Sequence, residues 1–339
     1  MASILEKEGD VIVDYRPVCW MQTDSYPIQF EIRIDDGSFI HSKIDSIIGG
    51  IGMGLISIGG TFLNILIIII LLRSSKLRSE YLTPFIVSMS LADFAYSIFG
   101  PPIQCIRYFT RTWPEIDCST YAFISYSLWN CSAWNLLGIA LIRCIVVSGS
   151  KIKSTEHLSL ICKTISIVAW FLSFLSFLPT YLEIYGIFGL QCKIQCCRLV
   201  NVDSDGNTLG FQPEIHISYV IMTMGIIVGV LNSITYWKVS TRTRKLAKQM
   251  KQVSKEVTKD ILEKEKKAGA MILIITASFF IVFLTGPLSR IIDPNFFINH
   301  PSKQIGLWLI GSSIVIVNPL VYILFQDQYR REIKSLFLH

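Results

Sequence analysis

The residue types that most often carry catalysis are poorly placed here. His41, His157, His216, His300 and His339 are scattered through loops and the terminus without metal-ligand spacing, and neither a phosphate-cradling glycine loop nor a nucleophile elbow is present. No enzymatic activity is expected. The remaining chemistry lies in nine cysteines and in a few ionisable residues set within apolar runs. Cys118 and Arg143 bracket one such run, whose helical length of ~37 Å slightly exceeds a hydrocarbon core of ~30 Å. One helix therefore puts Cys118 at one membrane face and Arg143 at the other. An outside Cys suits a disulfide, whereas an Arg at the opposite face is satisfied only by water, headgroups or a partner protein.

The elements that hold these residues must be solvated by lipid. Of 339 residues 51% are hydrophobic and only 17% charged, with a mean hydropathy of +0.50, far more apolar than a soluble domain of this length. The net charge of +6 does not imply nucleic acid, because the basic residues sit in short loops between apolar runs.

Seven runs at about 46–72, 82–108, 115–147, 158–182, 214–240, 267–292 and 303–325 are each long enough to cross a bilayer. An odd number separates the termini. Loops on the C-terminal side carry Arg73, Lys76, Arg78, Lys151, Lys153, Lys163, the basic connector from Lys238 to Lys267, and Arg330, Arg331 and Lys334. The positive-inside bias makes that side cytoplasmic. Residues 1–45 then form a polar, acidic extracellular segment without a signal-peptide pattern, so the first span is expected to act as the targeting signal. Residues 326–339 form a cytoplasmic amphipathic helix and tail, with Tyr329, Ile333, Leu336 and Phe337 on one face. The expected architecture is an all-α membrane protein, a seven-transmembrane helix bundle over 46–325 with its N-terminus outside and a short eighth helix.

Motifs recur along nearly the whole bundle. They are Asn64 in Gly60-Thr61-Phe62-Leu63-Asn64, Asp93 in Ser90-Leu91-Ala92-Asp93-Phe94, Cys118 after Trp113, Arg143, Trp170, Pro287, and Asn318-Pro319-Leu320-Val321-Tyr322. In this order the chain resembles the rhodopsin-like (class A) G-protein-coupled receptors. Within that family, Gly186 to Leu190 leading to Cys197-Arg198-Leu199, and Phe283 to Pro287 leading to Ile292-Asp293, are similar to the arthropod Moody and trapped-in-endoderm group of orphan receptors.

The resemblance implies a receptor in the plasma membrane that passes an extracellular ligand signal to a heterotrimeric G protein. Arg143, Tyr236, Pro287, Asn318, Pro319 and Tyr322 are its implied coupling and switching residues. Three features depart from the family: Ile142 replaces the acid before Arg143, Thr285 replaces the aromatic before Pro287, and the fifth run has no Pro, which leaves Tyr236 as its only candidate anchor. A non-coupling seven-helix decoy or interaction protein is the alternative, and a transporter is weakened by the lack of an internal repeat.

Asp93 in mid-membrane costs ~2.5–3.5 kcal/mol by insertion scales, so it must face the bundle and find partners. By resemblance, Asn64, Asp93, Ser132 and Asn318 surround a sodium ion, with a water-filled polar network as the alternative. No other metal and no cofactor is expected. The extracellular loop pattern favours a Cys118–Cys197 disulfide with Cys196 as rival, and a further bridge could join Cys19 to Cys192 or Cys196. For the ligand pocket, Ser125 stands where amine receptors carry an Asp. Trp129, Trp308 and Ile292 suggest an apolar, aromatic lining, with Arg107 and Arg290 as anion contacts.

Overall fold

The computed structural model describes residues 2–7, 10–22, 30–34, 39–148, 155–192, 194–200, 213–250, 255–292 and 300–337. The side chains of the N-terminal strands and of Lys267, Pro287 and Arg290 lie outside the described residues. In chain order the strands β1 (Ala2–Lys7), β2 (Asp10–Gln22) and β3 (Phe30–Ile34) precede the helices α1 (Lys43–Arg73), α2 (Ser75–Arg78), α3 (Thr83–Thr110), α4 (Cys118–Val147) and α5 (Thr155–Tyr181). The hairpin strands β4 (Ile187–Gln191) and β5 (Cys196–Val200) follow, then α6 (Pro213–Met250), α7 (Lys255–Ile292), α8 (Pro301–Ser312), α9 (Ile314–Phe325) and α10 (Asp327–Phe337).

Among the described residues, α1, α3, α4, α5 and α6 are long and apolar enough to cross a membrane. The pair α8 and α9, bent by 42°, makes a sixth span, and α7 carries the apolar stretch Leu273–Gly286. Capping fixes several of these starts. Ser42 accepts the Asp45 amide at 3.1 Å ahead of α1, and Asp117 accepts the Thr120 amide at 2.7 Å, which begins the third span at Cys118 rather than at 115. The fifth and sixth helices run well beyond the predicted 214–240 and 267–292, because the connector is rich in Lys, Glu and Ala, which propagate a helix as readily in water as the apolar run does in lipid. The seventh run, expected as one helix over 303–325, is divided at Ser313.

Helix α4 occupies the centre, packed against α3, α5 and α6. Two glycines permit its neighbours' close approach. A Cβ on Gly138 would strike the Phe85 ring, and one on Gly60 would meet Ser97 of α3 and Val315 of α9. Three strands add secondary structure to the polar, acidic segment 1–45, for which no element was read from the sequence. β2 pairs antiparallel with β1 and β3 and lies parallel to β4, Trp20 opposite Gln191, so the N-terminal segment extends the β4–β5 hairpin over the outer end of the bundle. The β-branched run Val11-Ile12-Val13 between Asp10 and Asp14 is a strand signal.

Candidate functional site

Three levels of the bundle carry polar side chains that the apolar surroundings cannot ignore. At mid-depth Asp93, 2% exposed on α3, accepts from the Ser132 hydroxyl on α4 and from the Asn318 amide on α9 at 3.1 Å. Three helices thus converge on one carboxylate, each hydrogen bond offsetting part of its desolvation. A turn outward, Tyr96 and Ser312 hydroxyls meet at 3.0 Å, and the Trp129 indole donates to the Gly311 carbonyl at 3.2 Å.

Helix α1 deals with a second class of buried polar atom. A proline lacks the N–H that would bond the carbonyl four residues earlier, so Pro319 frees the Val315 carbonyl and Pro101 frees that of Ser97. The Asn64 amide donates to the Val315 carbonyl at 2.8 Å, and the Ser57 hydroxyl donates to the Ser97 carbonyl at 2.8 Å. Both orphaned acceptors are satisfied from the same helix. Asn64 also donates to Gly60, while its own Oδ1 is buried without a partner.

At the cytoplasmic end Arg143 is half-buried, and its electrostatic neighbours are the Tyr322 and Tyr81 phenols. Among the described residues no carboxylate pairs with it. Ile142 turns away, buried at 2% in an apolar cluster with Phe85, Ile139, Leu158 and Cys162. Tyr322 stacks on Tyr329 of α10 at 6.0 Å between centroids, and the Ser74 hydroxyl donates to Glu332 at 2.9 Å, so α10 is clamped against both α9 and the α1–α2 corner. Tyr236 is not part of this group: it is 46% exposed on the outer face of α6. The buried line Met224, Val228, Asn232, Thr235 sets the register of that helix, and Tyr236 falls about 100° beyond Thr235.

At the outer end Cys118 and Cys197 are joined, with Cα atoms 5.4 Å apart, while the neighbouring Cys196 is buried and lies outside that bridge. Consecutive residues of a strand point to opposite faces, so only one of the two cysteines of β5 can face α4. Cys192 is also disulfide-bonded. Arg107 is fully buried, donates to the Ile194 carbonyl at 2.6 Å and lies 4.0 Å over the Tyr108 ring, which commits it to holding the extracellular loop. Ser125 is buried, with its side chain beside the Tyr121 phenol one turn away on α4. Trp308 packs with Met53, Tyr108 and Ile305, and Ile292 is exposed at the end of α7. These pocket candidates do not form one cluster.

The family described as 7 transmembrane receptor (rhodopsin family) matches residues 63–322. The chain belongs to this family. Among its relatives, Protein trapped in endoderm-1 of Drosophila melanogaster is 22% identical over 80% of this chain and 72% of the relative. The Drosophila melanogaster G-protein coupled receptor moody is 20% identical over 83% of this chain but only 50% of its own length. The crystal structure of squid rhodopsin, at 18% identity, has the same fold, with a TM-score of 0.65 over 88% of this chain and 87% of that one.

In this multi-pass G-protein-coupled receptor, sequence reasoning missed several polar links between helices. Asn232 donates to the Thr276 hydroxyl at 2.9 Å, tying α6 to α7, and Trp170 donates to the Ser88 hydroxyl at 2.9 Å, tying α5 to α3. Asn232 was detectable as an amide inside an apolar run. Ser57 and Ser88 were not, because a membrane-helix serine can satisfy itself on its own backbone.

Proposed function

We propose that the receptor sits in the plasma membrane, binds its ligand on the outer side, and engages a heterotrimeric G protein through Arg143. The observation that carries this reading is an arginine on the basic side of the bundle with phenols beside it and no carboxylate partner among the described residues. Such a guanidinium is available to a partner carbonyl or carboxylate once α7 moves. The break at Ser313 divides this span into α8 and α9, two rigid segments that can shift against each other, and Asn318 ties α9 to Asp93 of α3.

The Asp93 group also supports a sodium site. Its donors are hard oxygens, the Asp93 carboxylate, the Ser132 hydroxyl and the partnerless Oδ1 of Asn64, and Asn318 orients the carboxylate through its amide. A bound cation would neutralise Asp93 and brace α3 against α4 and α9. The outer ligand is not a biogenic amine on this reading, since Ser125 offers a neutral hydroxyl. Arg107 is engaged by Ile194, and the Arg290 side chain is outside the described residues, which leaves an apolar ligand as the better match to Trp129 and Trp308. Expression with a panel of G-protein dissociation sensors tests the assignment, first without ligand and then with lipid and peptide fractions. A response to any fraction that Arg143→Ala abolishes supports it, and silence in every sensor opposes it.

A further inference from the structure

A cleft of about 270 Å³ opens where the C-terminal end of α4 meets the cytoplasmic part of α6. Its lining is Val147 and Ser148 from α4 and Trp237, Lys238, Thr241, Arg242 and Lys245 from α6. Three of the seven are cationic and none is acidic. Lys238 donates to the Ser148 hydroxyl at 2.7 Å, which closes the floor of the cleft and leaves its remaining N–H groups free to turn outward. Arg242 and Lys245 are exposed.

The wall of this cleft is the lipid-facing surface of α6. Ile227, Val230, Ile234 and Trp237 are exposed at helical spacing on one stripe, and Trp237 is 67% exposed. The next positions of that stripe are Thr241 and Lys245. Apolar residues, an indole and then cations in this order along one helix face match the change from acyl chain to headgroup, where tryptophan and lysine are stable for opposite reasons. An anion seated among Lys238, Arg242 and Lys245 therefore has its apolar portion directed along the stripe.

We propose that this cleft binds the phosphorylated headgroup of an inner-leaflet lipid, a phosphoinositide being the class with clustered phosphate monoesters that three cations can share. The recognised chemistry is phosphate, common to the lipid and to a free inositol phosphate, and the exposed stripe assigns it to the lipid. Arg242 supplies a planar fork for paired phosphate oxygens, and Lys238 and Lys245 act as point charges on either side. Bound there, the lipid would bridge α4 and α6.

The test uses the full receptor in nanodiscs without G protein, so its outcome is independent of coupling. Retention of a fluorescent phosphatidylinositol 4,5-bisphosphate is titrated for wild type and for Arg242→Gln/Lys245→Gln, two exposed positions whose change leaves the fold intact. The double variant is expected to bind about tenfold or more weaker, and Trp237→Ser to weaken binding of the lipid. Soluble inositol trisphosphate should compete poorly. Equal binding by wild type and double variant, or binding no stronger than to phosphatidylserine, overturns the site. Competition by inositol trisphosphate as effective as by the lipid overturns the lipid assignment.

Discussion

The Asn64 amide occupies the place of the N–H that Pro319 lacks, donating at 2.8 Å to the Val315 carbonyl one helical turn before that proline. A helix break in α9 is thereby mended from α1, and the two residues should be energetically coupled. Asn64→Leu is expected to cost roughly 1–3 kcal/mol, since it leaves a buried carbonyl unsatisfied. Pro319→Ala restores the donor within α9. Thermal unfolding of the purified receptor should therefore show that Asn64→Leu costs less in the Pro319→Ala background than in wild type. Additive effects would show that the carbonyl is satisfied by other means.

The disulfide gives a sharper contrast between neighbours. Cys118→Ser and Cys197→Ser should each lose most surface expression, in line with the ~2–5 kcal/mol that a native bridge contributes. Cys196→Ser should be expressed far better than either, because the bridge to Cys118 is made by Cys197. Surface labelling of the three variants decides the pairing in cells.

Extracellular stability should depend on pH through His41. This side chain is 1% exposed between the rings of Phe39 and Tyr108, neither nitrogen has a partner, and burial, with Arg107 and Arg111 opposing Asp45, lowers its pKa from 6.5 to about 4. The folded form therefore resists the proton that the unfolded chain accepts. Stability is fully present above pH 6.5 and falls as pH drops from 6.5 towards 4, by about 1 kcal/mol per pH unit. His41→Phe should flatten the fall in melting temperature between pH 7 and pH 5. Parallel curves for wild type and variant would remove His41 from the account.

The seven spans and their orientation were legible because apolar length and loop charge leave few arrangements in lipid, and the cost of a lone carboxylate required partners for Asp93; that Ser132 and Asn318 are among them was implied by the family resemblance. Registers were not. Tyr236 is the only candidate anchor that the fifth run offers, yet the buried line through Asn232 and Thr235 turns it outward, a difference of one residue that composition does not encode. Ile142 raised the expectation of an unheld Arg143, and its burial against Phe85 and Leu158 adds that a carboxylate at 142 would enter an apolar cluster. Ile142→Asp therefore probes burial as much as ion pairing. The strand pairing of Trp20 with Gln191 was invisible because it joins segments about 170 residues apart, a separation that no local pattern spans.

The central claim is that Arg143 is available to a G protein without first breaking an ion pair. Its most direct measurement is ligand-independent nucleotide exchange on a panel of Gα subunits by purified wild type and Arg143→Ala, at matched receptor concentration. An absent pair of the partly wet kind contributes ~1 kcal/mol, which raises the active population about fivefold. Wild type should therefore catalyse exchange measurably above the receptor-free rate, and Arg143→Ala should fall to that rate while remaining folded. A wild type indistinguishable from Arg143→Ala on every Gα tried would contradict the account and favour a receptor that binds without coupling.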